Sequence, residues 1–164
     1  MMDSTTSRIQ VYIGQQRLCL VDGAKTLANF SISSAVKGVG QQRDSGCTPL
    51  GLHRIRAKIG AGCAVNTVFV GRRPTGEIYS PELGIRYPER DWILSRILWL
   101  SGCEPGINRL GDCDSMQRYI YIHGTPDTEP MGQPLSHGCI RMRNDELIWL
   151  FDRVKLGTQV LITR

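Results

Sequence analysis

Apolar and polar residues alternate along the first third of the chain. In Arg8-Ile-Gln-Val-Tyr-Ile13, residues Ile9, Val11 and Ile13 share one face, the pattern of a half-buried strand. Gly14-Gln15-Gln16 reads as a turn, and Leu18 to Val21 as a second strand. Asp22-Gly23 is a hairpin signal, and residues 27–33 alternate again through Leu27, Phe30 and Ile32. A glycine-rich polar stretch runs from Lys37 to Gly51 and ends in Thr48-Pro49-Leu50-Gly51. His53, Ile55, Ala57 and Ile59 then form another alternating run. Short apolar runs such as Val68-Phe69-Val70 follow, with turns expected at Arg73-Pro74, Ser80-Pro81 and Tyr87-Pro88. Asp91 is placed to cap a short helix through Leu100, closed by Gly102. Its apolar residues cover much of the circumference, so a buried strand is the alternative. Residues 118–123 form a strand that ends at His123. Asn144 is expected to cap a helix with Leu147, Ile148, Leu150, Phe151 and Val154 on its face, closed by Gly157. Residues 158–163 complete the chain as a last strand.

This density of strands and turns agrees with the 18 glycines among 164 residues and predicts a β-rich α+β fold in a single domain, 1–164. Apolar residues make up 41% and charged residues 21%, an ordinary globular balance. The net charge of +5 is spread out. Arg54, Arg56 and Lys58 alternate along one run, and Arg72 and Arg73 sit beside Pro74. Such charges form a solvated surface or a mild attraction for an acidic substrate. They are not clustered as a nucleic-acid site requires, and no segment is long and apolar enough for a membrane helix. The polar start, Met1 to Ser7, lacks the basic and apolar regions of a secretory signal. The expected location is therefore the cytoplasm, or the periplasm if the natural N-terminus has been trimmed.

Six cysteines are present, with no Cys-x-x-Cys pair. Reduced thiols are the expectation, with five of the six as small buried hydrophobes and neither a metal nor a cofactor assigned.

Chemistry concentrates between His123-Gly124-Thr125-Pro126 and Pro134-Leu-Ser-His-Gly-Cys-Ile-Arg-Met142. Two of the chain's three histidines meet a cysteine here. An imidazole near a thiol can generate or stabilise a thiolate nucleophile. Gly138 permits close backbone approach, and successive amides at Gly138 and Cys139 can face a developing oxyanion. Two other readings fit the same residues. One is a zinc site from His123, His137 and Cys139; the other is a buried cysteine with two satisfied histidines.

Ser136-His137-Gly138-Cys139 preceded by a distant His123-Gly124 resembles the signature of L,D-transpeptidase (YkuD-type) catalytic domains. The resemblance also takes in the opening strands and the Thr48–Gly51 segment. It implies a β-sandwich of mixed sheets with a few short helices. It further implies Cys139 as nucleophile, His123 as base, and the Gly124 carbonyl as the group that orients the imidazole. His137 would shape the pocket, and amides around His137, Gly138 and Cys139 would form the oxyanion hole. Ser136 would support the loop. Arg141 would hold a substrate carboxylate, with a salt bridge as its alternative role. The implied partners are peptidoglycan stem peptides or muropeptides, with carbapenem-type inhibitors. Ile97-Leu-Trp-Leu-Ser-Gly-Cys-Glu-Pro-Gly106 is similar to a segment of short cytoplasmic L,D-carboxypeptidases that recycle murein. Together with the missing export signal, which weighs most, this favours release of D-alanine from tetrapeptides over cross-link formation. A non-catalytic wall- or metal-binding module is the reading from a different class.

Overall fold

The computed structural model describes residues 7–164. The leader reading rests largely on residues 1–6, which lie outside them. Ten strands form one continuous mixed sheet: β1 (Arg8–Tyr12), β2 (Arg17–Asp22), β3 (Lys25–Ser31), β4 (Gly51–Ile59), β5 (Thr67–Val70), β6 (Arg73–Ile78), β7 (Ile93–Gly102), β8 (Tyr121–Gly124), β9 (Ile140–Met142) and β10 (Gln159–Thr163). The helices are α1 (Pro81–Arg86) and α2 (Asn144–Arg153), with one 3-10 turn at Gly111–Cys113.

The main path runs β3-β2-β1-β10-β4-β7-β5-β6, and β8 and β9 branch from it at β7. The pairs β1–β10 and β8–β9 are parallel and the rest are antiparallel. Alternation in β1 and β10 delivers Ile9, Val11, Val160 and Ile162 to the main core. There they join Ile122, Ile140 and Met142 from the branch and Leu147, Leu150 and Phe151 from α2. Burying an apolar side chain of this size contributes about 1.5–3 kcal/mol, so α2 is anchored by its apolar stripe.

Four expectations are corrected. The segment from Asp91 to Leu100 is not a helix. Residues 93–102 form strand β7, which pairs with β4, β5 and β8 and is buried on both faces. A strand covered on both sides loses its period-2 alternation and reads like a buried helix. Ser80-Pro81 opens α1 rather than a simple turn: Ser80 accepts the Leu83 N–H at 3.2 Å, and Pro81 takes the first helical position. The tip between β5 and β6 is Gly71-Arg72, and Arg73-Pro74 already belongs to β6. Finally, Arg143 occupies the N-cap of α2, which ends at Arg153, before Gly157. Asn144 turns inward instead, because a buried hydroxyl and a carbonyl compete for its amide.

All six cysteines are free, but only Cys19 is fully buried. Cys47, Cys63, Cys103 and Cys113 are half-buried, so the expectation of five buried hydrophobes is also corrected. They line loops and strand edges, where packing is incomplete.

Candidate active site

The parallel pair β8–β9 aligns His123 with Arg141, and Ile122 with Ile140. Alternation sends Ile122, Ile140 and Met142 into the main core and His123 to the opposite face. Cys139 lies one residue before β9 and continues that alternation onto the face of His123. Both residues line one cavity of about 550 Å³ with Gly71, Arg72, Asp91, Arg118, Tyr119, Tyr121 and His137.

His123 is buried, and its Nδ1 lies 2.6 Å from the Gly124 carbonyl. A carbonyl can only accept, so Nδ1 carries the proton and Nε2 is the basic nitrogen. Burial pushes the His123 pKa below the ordinary histidine value, against the Gly124 hydrogen bond and the nearby Asp91 carboxylate. Gly124 has no alternative residue. A Cβ there would sit 2.2 Å from Asn144 Oδ1 and 2.5 Å from the Leu94 carbonyl.

The Cys139 sulfur accepts the Tyr121 N–H at 3.3 Å and points its own hydrogen at the Tyr119 carbonyl, also 3.3 Å away. Cys139 keeps part of its surface open, but the protein crowding the sulfur pushes its pKa up to about 12. Burial thus favours the neutral thiol and the neutral imidazole in this cavity. Desolvation outweighs the Tyr121 N–H and the positive charges of Arg141 and Arg118.

Gly138 has φ +134°, a region that disfavours side chains. Its N–H donates to Ser136 Oγ at 3.2 Å, and its carbonyl accepts from Thr48 Oγ1 at 2.9 Å. Ser136 Oγ in turn donates to the Cys139 carbonyl at 2.5 Å. The Gly138 amide is thus committed to the loop. His137 is exposed, with Nδ1 3.3 Å from Asp91 Oδ2.

Arg141 is nearly buried and already paired. Its guanidinium lies 3.1 Å from Asp91 Oδ1 and 3.8 Å from Glu129 Oε2. A side chain so engaged must break an ion pair before it can take a substrate carboxylate. The salt-bridge role is the one the geometry displays.

Asp91 was expected as a helix cap. It instead joins His137 to Arg141, and against the desolvation of the carboxyl its pKa is lowered by His123, Arg141 and the His137 hydrogen bond. Ser95 and Asn144 also escape sequence reasoning. Ser95 has φ +72° at the β7 irregularity and donates to Asn144 Oδ1 at 2.7 Å. Asn144 Nδ2 donates to the Thr125 carbonyl at 2.8 Å, so this network buttresses the turn after Gly124. The local trace of this network is a Ser that breaks the apolar run of β7. Among the described residues, no group of three His, Cys, Asp or Glu side chains is arranged to hold a metal ion.

A thiol and an imidazole whose tautomer is fixed by a backbone carbonyl, on the branch of a mixed β-sheet, define a cysteine–histidine site. The L,D-transpeptidase catalytic domain (YkuD) family model matches residues 6–162, and the chain belongs to that family. YqjB of Bacillus subtilis, assigned by name to the L,D-transpeptidases, is 55% identical over 46 residues, 28% of this chain and 26% of its own. ErfK/SrfK of Escherichia coli, similarly named, is 49% identical over 45 residues, 27% of this chain and 14% of its own. These alignments span about a quarter or less of each relative. L,D-transpeptidase 3 of Mycobacterium tuberculosis, solved with a faropenem-derived adduct, superposes with a TM-score of 0.60 at 14% identity. That superposition covers 97% of this chain and 60% of the other. An L,D-transpeptidase of Mycobacterium smegmatis gives a TM-score of 0.57 at 17% identity, over 97% of this chain and 59% of its own. These likenesses show the shared fold.

Proposed function

We propose that the protein is an L,D-carboxypeptidase that releases D-alanine from tetrapeptide stems of peptidoglycan through a thioester on Cys139. The observation that carries acyl transfer is the shared cavity of Cys139 and His123, with the imidazole fixed on the Gly124 carbonyl. His123 Nε2 takes the thiol proton as sulfur attacks the scissile carbonyl, because neither group is charged at rest. The amides of His137 and Cys139 receive the oxyanion. The C–N bond breaks, and the imidazolium gives its proton to the departing D-alanine amine. Water then attacks the thioester, losing a proton to His123. The C–S bond breaks, and the sulfur recovers the proton. Once the thiol has lost its proton, the Tyr121 N–H supports the sulfur. A carbapenem, with its strained carbonyl, would acylate the same sulfur.

Hydrolysis as the second step rests on the likeness of Ile97–Gly106 to short carboxypeptidases of murein recycling, and a cytoplasmic setting is part of the same proposal. Cross-link formation is the second reading. A neighbouring cavity of about 460 Å³, lined by Glu89, Asp91, Glu129, His137 and Arg141 among others, offers carboxylates to an incoming amine. Mass spectrometry after incubation with L-Ala-D-Glu-meso-diaminopimelate-D-Ala separates the two. Tripeptide and free D-alanine, dominant even with added D-amino acid, are the expected products. Cross-linked dimers or D-amino-acid exchange in excess of tripeptide would overturn hydrolysis.

A further inference from the structure

Three arginines surround the Cys139 site, and two are consumed by the chain itself. Arg141 is held by Asp91 and Glu129. Arg118 is pinned by acceptors on the glycine-rich segment: the carbonyls of Gly40 at 3.2 Å, Gln41 at 3.3 Å and Cys47 at 2.7 Å, and Ser45 Oγ at 3.3 Å. Its guanidinium staples that segment to the turn before β8.

Arg72 differs. It occupies the tip of the β5–β6 hairpin with φ +64°, directly after Gly71 at φ +56°. Two successive positive φ values make a turn that prefers Asn and Gly, so an arginine in the second position is strained. Its guanidinium carbon lies 4.8 Å from the ring centres of both Trp99 and Tyr119. One N–H donates to the Tyr121 hydroxyl at 3.0 Å. A guanidinium has five N–H donors, and among the described residues no carboxylate pairs with this one. Arg72 lines the Cys139 cavity and also an adjoining cavity of about 810 Å³, bounded by Arg43, Met116 and Gln117 among others. Asp91, the acidic group in the Cys139 cavity, is already held by Arg141 and His137.

We propose that Arg72 is the carboxylate receptor of this site, binding one carboxylate of the acyl-donor peptide between the two cavities. The rings of Trp99 and Tyr119 fix the guanidinium plane, and the Tyr121 hydroxyl fixes its rotation. Its remaining donors form a preorganised fork for a bidentate carboxylate. The inference rests on the proposed peptide substrate, but it concerns binding rather than turnover.

Calorimetry in a Cys139→Ala background tests it without chemistry. The ligands are the tetrapeptide and three analogues, each with one carboxylate converted to the amide. Arg72→Gln is expected to weaken tetrapeptide binding by about tenfold or more. One amidation should cost a similar factor with Arg72 present and almost nothing in Arg72→Gln, as for two groups in direct contact. Arg72→Lys keeps the charge but loses the stacked fork, and should recover only part of the affinity. Thermal unfolding of each variant checks that the hairpin is intact. If Arg72→Gln does not fold, the amide series on the Arg72 protein decides alone, since the contact requires one amidation to cost far more than the others. The proposal is overturned if every amidation costs the same with and without Arg72, if no single amidation stands out, or if the tetrapeptide does not bind. Failure of the proposed function reads differently: the peptide binds through Arg72, yet the wild-type protein leaves its D-alanine in place.

Discussion

His53 and His123 are both buried histidines on strands, and burial lowers the pKa of each. They differ in what their second nitrogen meets. His53 Nδ1 donates to the Gly51 carbonyl at 3.0 Å, and its Nε2 accepts from Ser115 Oγ at 2.8 Å. The ring is satisfied on both sides, buried on β4. His123 spends Nδ1 on Gly124 in the same manner, but its ring borders the cavity that holds Cys139. Burial and a shifted pKa are thus shared by a structural and a chemical histidine. The open valence separates them.

The largest expected effect follows from that valence. His123→Ala should lower kcat/KM for D-alanine release by about 10²–10⁴-fold, the usual contribution of a general base. His53→Gln should leave kcat/KM of the folded protein nearly unchanged. A steady-state assay of both variants checks this, and comparable losses would dissolve the distinction.

Stability should show the reverse contrast. His53 has its pKa lowered from 6.5 to about 4, so between these values the unfolded chain binds a proton that the folded chain does not. Its stabilising effect is present in full above about pH 6.5 and falls as the pH drops toward 4, by about 3 kcal/mol. Denaturant unfolding across this range should show the acid slope in wild type and a shallower one in His53→Gln. The slope should not vanish, because the His123 shift has the same sign. An unchanged slope would remove His53 from the account.

A smaller effect is expected from the turn behind His123. Asn144→Ala leaves the Ser95 hydroxyl proton without an acceptor and the Thr125 carbonyl without the Asn144 amide, at a cost of about 1–3 kcal/mol. If the network also aims the imidazole through Gly124, kcat should fall while KM holds. A matched fall in stability with unchanged kcat would make the network a fold element alone.

The parts of this arrangement legible in the sequence are those encoded locally. Alternation marked β1 and β4, which keep one face toward the core; the strand into His123 was expected from residue 118 but runs from Tyr121 to Gly124, after a turn. The His-Gly and Ser-His-Gly-Cys segments announced a thiol and an imidazole, the first at the end of β8 and the second leading into β9. Strand β7 was ambiguous because it is covered on both faces. With it went Asp91 and Ser95, whose roles depend on where β7 passes. Arg72 was visible only as a charge near a turn; nothing local says that its tip folds back over Trp99 and Tyr119. The pairing of Arg141 and the neutral state of Cys139 are likewise products of tertiary burial. The sequence left Arg141 between a substrate carboxylate and a salt bridge, and it pointed to an imidazole that can generate or stabilise a thiolate.

The central claim is that Cys139 is the sulfur that accepts the acyl group and that His123 is the base that frees it. Acylation by a carbapenem, followed by intact mass and peptide mapping from about pH 5 to 9, tests it most directly. The account predicts a single adduct on Cys139, with the other five cysteines unmodified. The rate should hold at neutral pH and fall only below the ordinary histidine range, as His123 becomes protonated. The same adduct should form far more slowly in His123→Ala. An adduct mapped to another cysteine, or a Cys139 adduct formed equally fast without His123, would contradict it.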